Sequence, residues 1–290
     1  MTPTTAGRNV VAAATNTAQD LAQRAGVEVR TLHEHEELDA AREIWDSVWP
    51  TIPGATEVPS SLMRAIEHAG GYIAGAFDEG RLVGASLAFP GRSRDVDGWK
   101  EHLHSHVAAV IPAAADRGVG TAIKAHQRAW ALARDIDRIL WTFDPLVRRN
   151  ARLNISKLGG IGAEYLIDFY GRMDDPLNSG EESDRMLVSW ELASDRVSDA
   201  LAGAAVPLPR GHWTALGAVV SSPSHNEVPK TARLALLPIP MDIVAIRAQG
   251  REPARQWRMK MRAALAPVAR GEARVIAMTL EGDYVMESAT

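Results

Sequence analysis

Three histidines, His102, His104 and His106, alternate along a run that reads as a strand, so their side chains share one face. An unperturbed imidazole titrates near pH ~6.5, which suits a base working near neutrality. Hydrogen bonding to neighbouring loops is the structural alternative for the same residues. Three imidazoles on one face are also a donor set for zinc, but no acidic partner at ligand spacing completes it, and no metal is expected. The chain continues as His106–Val107–Ala108–Ala109–Val110–Ile111 and then as Asp116–Arg117–Gly118–Val119–Gly120–Thr121. Glycines at a helix start let backbone amides close around a phosphate, and the helix dipole favours the negative charge. A plain turn is the competing reading of the same glycines.

Two phosphate-binding designs fit poorly. A P-loop needs a Lys–Ser/Thr pair after its last glycine, and Thr121–Ala122 stand there. A dinucleotide fingerprint needs a third glycine where Ile123 lies, although Asp144 does follow the next strand-like run, Arg138 to Phe143.

The elements that must position these residues follow from periodicity. A helix over 8–25 stops at Gly26, and 27–32 alternates like a strand. Helices are expected over 36–48 and 60–68, then a hairpin of Tyr72–Phe77, the turn Asp78–Glu79–Gly80, and Leu82–Phe89. Residues 91–98 read as a polar loop. Ala122, Ala125, Ala129, Leu132 and Ala133 give the helix behind the glycine turn. A strand near Tyr165–Phe169, a polar stretch at 171–186, and a strand from Met186 to Leu192 come next. Residues 202–211, with Pro207 and Pro209, read as a linker. Beyond it, strands are expected at 232–237, 274–279 and 284–287, and a helix at 253–268.

Composition sets the limits. The chain has 290 residues, 46% of them hydrophobic and 23% charged, as in an ordinary globular protein. A net charge of −4 supplies no general electrostatic reason to bind nucleic acid. No apolar run has the length of a membrane helix and no secretion signal is evident, so no membrane partner and a cytoplasmic location are expected. With no cysteine in the chain, disulfides, thiolate metal sites and an acyl-cysteine intermediate are excluded.

Arg117-x-x-Gly120-x-Ala122 satisfies the pattern Gln/Arg-x-x-Gly-x-Gly/Ala, and Ala151, Ile155, Lys157 and Gly159 follow the spacing Ala-x-x-x-Tyr-x-Lys-x-Gly-Phe, with Ile155 at the tyrosine and Gly160 at the phenylalanine. With the element order of residues 27–175, these motifs resemble the GNAT acyltransferase superfamily. Leu103–His104–Ser105–His106, Trp141–Thr142–Phe143–Asp144–Pro145–Leu146, Arg149–Asn150–Ala151 and Ser183–Asp184–Arg185 resemble a bacterial branch that includes amino-acid N-succinyltransferases.

The resemblance implies an α/β fold with a GNAT-like mixed central sheet flanked by helices, and a C-terminal α+β extension. Expected boundaries are 1–26 for a tail and helix, 27–200 for the acyltransferase domain and 201–290 for the extension. It implies acetyl-CoA or succinyl-CoA as co-substrate, with a small amine or amino acid attacking the thioester directly. The phosphates would rest on amides of Arg117, Gly118, Val119, Gly120, Thr121 and Ala122, and the acyl carbonyl near Val107, Ala108, Ala109 and Val110. His104 and His106 would lie by the reaction as base candidates. Tyr170 is the acid candidate, and Asn150, Asn154 and Lys157 are candidates for holding the coenzyme. Arg148, Arg149, Arg152 and Lys124 are further anion candidates. Arg258 and Arg262 fit a carboxylate, or simply a surface beside a core Trp257. A homodimer is compatible with the sequence. A catalytically silent acyl-CoA-binding or regulatory module is the alternative, because the usual tyrosine is missing and no carboxylate base is evident.

Overall fold

The alanine-rich run Thr5–Ala25 forms helix α1, closed by Gly26 in the left-handed region (φ 66°) with Val27 N donating to Ala22 O. Strand β1 (Glu28–Thr31) leads to α2 (His35–Val48), whose start is a capping box of Glu34 and Glu37, and to α3 (Ser60–His68). The computed structural model describes residues 5–49, 56, 58–95, 98–171, 182–221 and 232–289. These residues fall into two compact units, Met1–Trp141 with Glu191–Ser194, and Thr142–Trp190 with Asp195–Thr290.

In the first unit the expected hairpin forms from β2 (Tyr72–Asp78) and β3 (Arg81–Asp95), turning at Glu79 (φ 47°) and Gly80 (φ 80°). The polar run at 91–98 is not a loop over its described part. β3 continues to Asp95 and pairs with β4 (Gly98–Val110) through Arg92↔Glu101, Ser93↔Lys100 and Arg94↔Trp99. A strand polar on both faces shows no alternation, and its backbone ladder holds it all the same. Residues 96–97 lie outside the described residues. Helix α4 (Val119–Leu132) then leads to β5 (Arg138–Phe143), giving the order β1-β2-β3-β4-β5. Neighbours are antiparallel except β4 and β5, which run parallel. Leu38, Trp45 and Met63 from α2 and α3 cover one face of this sheet, over Ile73, Leu87 and Val107. Ala25 of α1 and Val119, Ala122 and Ile123 of α4 form a second cluster with Ala76 and Val83.

In the second unit α5 (Arg148–Ala151) continues as a π-helical turn over Arg152–Lys157, followed by β6 (Ile161–Leu166) and β7 (Arg185–Glu191). Then come α6 (Asp195–Ala202), α7 (Arg210–Ala215), β8 (Val219–Val220) and β9 (Leu234–Leu237). Helices α8 (Ile243–Gln249), α9 (Arg251–Ala264) and α10 (Ala266–Ala269) precede β10 (Ala273–Met278) and β11 (Tyr284–Ser288). The strand order is β7-β6-β10-β11-β9-β8, with only β8 and β9 parallel. The sequence missed α8, which Asp242 caps through Ala245 N. The helix expected over 253–268 breaks at Leu265, where α10 begins with a proline in its first turn. β6 ends at Leu166, before the expected Phe169. Most of the polar stretch at 171–186, residues 172–181, lies outside the described residues. Because β10 pairs with β6, residues 142–190 group with the C-terminal strands, a partition different from the boundary expected near residue 201. Among the described residues no helix is long and apolar enough to cross a membrane.

Candidate active site

The glycine turn opens α4 as its residues require. Gly118 is the N-cap in the left-handed region (φ 92°), and Asp116 also takes positive φ (62°). The first ladder bond runs from Ala122 N to Gly118 O at 3.0 Å, so the amides of Val119, Gly120 and Thr121 precede the ladder. A Cβ placed on Gly120 would meet only Val110 Cγ2, at 4.0 Å. Arg117 is engaged elsewhere: its guanidinium pairs with Asp78 at 2.6 Å and reaches Ala25 O at 3.3 Å. An anion at this turn would therefore be held by backbone and dipole.

β4 carries a bulge. Leu87 pairs with Val107 and Ala88 with Ser105, so His106 is the extra residue. His106 lies beside His104: their ring centroids are 6.1 Å apart, and Phe89 lies 5.1 Å from His104 and 5.9 Å from His106. Burial, with His106, His102 and Lys124 nearby, pushes the His104 imidazole down to about 4. The ring is therefore neutral at pH 7 and weakly basic. His106 is exposed, and His102 is buried over Gly91, where a Cβ would come within 2.7 Å of Nε2. Among the described residues no group of three or more His, Asp or Glu side chains is arranged to hold a metal ion.

β4 and β5 pair only at Leu103↔Ile139 and His104↔Leu140. Past that point the β5-facing edge of β4, along Ser105 to Val110, is released from the ladder while β3 holds the other edge. The strands thus make a fork; alternate residues of the run bond to β3, as Ile111 N does to Val83 O, and the backbone groups of Ala108 and Val110 between them face the released side. Lys124, expected near phosphates, instead points inward. Its Nζ donates to Ser105 Oγ at 3.1 Å and Gln127 Oε1 at 2.7 Å, and lies 3.9 Å from the Trp141 ring centroid. Burial pushes this amine down to about 7. Sequence reasoning missed this residue's position. The signal was there in Lys124, Gln127 and Arg128, three polar residues on one helix face, all of which are buried.

The remaining candidates lie in the second unit. Tyr170 is largely exposed, its hydroxyl 3.0 Å from Thr142 Oγ1 and its ring under the Arg185 guanidinium at 5.4 Å. Asn150 and Lys157 are exposed whereas Asn154 is buried, because the π-helical turn that begins at Arg152 breaks the shared face expected four residues apart. Ile155 is buried. Arg148 is no anion site: it donates to Ile239 O at 2.6 Å, Glu281 O at 2.7 Å and Pro240 O at 3.2 Å.

Arg258 and Arg262 reverse their expected places. Arg258 is 3% exposed and, with Arg247, faces the buried Asp144 at 3.4 and 2.6 Å, while Trp257 is only half-buried. Arg262 grips both oxygens of Asp184 (2.6 and 2.7 Å), which also accepts from the Tyr165 hydroxyl at 2.5 Å. The arginines hold Asp144 below the usual carboxylate range despite its burial. Its place in a dinucleotide site is therefore taken.

Residues 35–153 match the profile of the acetyltransferase (GNAT) family. No curated protein matches the chain in sequence. Among solved structures, the chain is similar to the ribosomal-protein-S18-alanine N-acetyltransferase of Escherichia coli (16% identity, TM-score 0.44, covering 58% of this chain and 95% of that one). It is also similar to an N-acetyltransferase of Staphylococcus aureus Mu50 (15%, TM-score 0.45, 57% and 98%) and to Chaetomium thermophilum Naa20 bound to a bisubstrate analogue (18%, TM-score 0.44, 57% and 86%). The match to this family covers less than half of the chain and runs from α2 to the π-helical turn that follows α5.

Proposed function

We propose that the chain transfers an acetyl or succinyl group from acyl-CoA to the amine of a small molecule or amino acid, by direct attack on the thioester. One observation carries this reading: within the segment matching the family, the glycine turn opens α4 beside the strand whose edge is released past His104. The phosphates would take the amides from Arg117 to Thr121, Ala122 N being bonded to Gly118 O, and the pantetheine and acyl carbonyl the freed edge from Val107 to Val110. His106, exposed beside the weakly basic His104, would take the proton of the ammonium before the neutral amine attacks. Direct attack is the simplest route in a chain without cysteine.

The test is incubation of the protein with acetyl-CoA or succinyl-CoA and a panel of amines and D- and L-amino acids, following free thiol. Only released coenzyme A can give the signal. Amine-dependent release supports N-acyl transfer, and the faster donor chooses between acetyl and succinyl. Binding of acyl-CoA without release for any amine would favour a silent binding module.

A further inference from the structure

We propose that Ser105 delivers the proton needed by the departing coenzyme A thiolate, with the Lys124 ammonium behind it as the proton's source. This deepens, and rests on, the acyl-CoA reading above. Ser105 is the first residue of β4 beyond its last pair with β5, so it sits at the base of the fork. It is 6% exposed, and its hydroxyl accepts from Lys124 Nζ at 3.1 Å, its one side-chain hydrogen bond among the described residues. An oxygen that accepts from Nζ keeps its own hydrogen for another acceptor. Lys124 is steadied from behind by Gln127 Oε1 and the Trp141 ring, both uncharged. Burial brings its amine to about 7, so it gives up and regains a proton under working conditions.

The step balances. The acceptor nitrogen attacks the carbonyl carbon, the C–N bond forms, and the C–S bond breaks with its electron pair on sulfur. Ser105 gives its hydroxyl proton to sulfur while Nζ returns one to Oγ. The proton lost by the new amide nitrogen goes to His106 or solvent, and Lys124 recharges from solvent. Thioester and amine become amide and thiol. Lys124 is here a positioning residue acting through Ser105.

Two measurements on the whole chain test this. The first is the thiolate absorbance of coenzyme A bound to wild type, Ser105→Ala, Lys124→Met and Lys124→Arg, titrated with pH; the cysteine-free chain contributes no signal. The bound thiol is expected to ionise at lower pH than the free thiol in wild type and Lys124→Arg, and to return by about one pH unit in Lys124→Met. The second is turnover with the best donor and amine. Both Ser105→Ala and Lys124→Met should lower kcat about 100-fold with KM for acyl-CoA unchanged. The wild-type fall in kcat above pH ~7 should move upward in Lys124→Arg, whose charge persists. Identical thiol titration in all four proteins, or kcat in Ser105→Ala within threefold of wild type, overturns the relay. If Lys124→Met fails to fold, Ser105→Ala, the loss of one hydroxyl, decides. Failure of wild type to bind coenzyme A contradicts the acyl-CoA reading itself, a result distinct from binding with an unaltered thiol.

Discussion

Each unit of the chain buries cations, and the two do it in different ways. In the first, Lys124 is given a hydroxyl, an amide oxygen and an indole ring, and its amine is pushed down to about 7. In the second, Arg247 and Arg258 are given the carboxylate of Asp144, and Arg262 that of Asp184. A lysine beside a hydroxyl, an amide and an indole can shed its proton to escape the desolvation penalty, whereas a guanidinium keeps its charge, and Arg247, Arg258 and Arg262 keep it opposite carboxylates. The first arrangement suits proton traffic. The second suits fixed architecture, joining Asp144 to α8 and α9.

The sharpest way to break the comparison is to remove the counter-charge. Asp144→Ala leaves two buried guanidiniums facing each other, and urea unfolding should show a loss of about 3–5 kcal/mol. A loss below ~1 kcal/mol would mean that the arginines are not held by this carboxylate.

Lys124→Met should behave in the opposite way, with a dependence on pH. The folded amine titrates at about 7 and the unfolded one at 10.5, so between these values the unfolded chain binds the extra proton. Stability from this site therefore climbs as pH rises from 7 to 10.5, and the full cost of the buried charge is present below 7. Relative to wild type, Lys124→Met should gain most in thermal midpoint at pH 6, and the gain should shrink towards pH 10. A difference independent of pH would show that Lys124 is not a buried, titrating amine.

The smallest effect is expected at Arg117, whose pair with Asp78 is partly solvated. Arg117→Ala should cost less than ~1 kcal/mol and leave acetyl-CoA affinity within a few-fold. A large loss of affinity would show that the guanidinium leaves Asp78 for the ligand.

The contrast also explains what the sequence disclosed. The hairpin around Glu79–Gly80 and both ends of α3 were legible because alternation, turn residues and flanking breakers agreed there. The glycine turn was legible for the same reason, since Gly118 takes a φ that few other residues tolerate. Residues 91–95 were not, because a strand polar on both faces has no period to read. Lys124 and Arg258 were misplaced by one rule, that charges face water. Each violates it with partners distant in sequence: Ser105 and Trp141 for the lysine, Asp144 for the arginine. The separation of Asn150 from Asn154 was hidden because no local residue marks a π-helical turn.

The central claim is that backbone amides at the start of α4 hold the phosphates of an acyl-CoA, and Gly120→Ala tests it most directly. A methyl there has room in the unliganded protein, its nearest neighbour being Val110 Cγ2 at 4.0 Å. Alanine within a helix should also stabilise the fold by up to ~1 kcal/mol. Calorimetric titration of acetyl-CoA should show saturable binding to wild type and at least about tenfold weaker binding to this equally or more stable variant, a loss of ~1.4 kcal/mol. Equal affinity in the two proteins, or no binding to wild type, would contradict the claim.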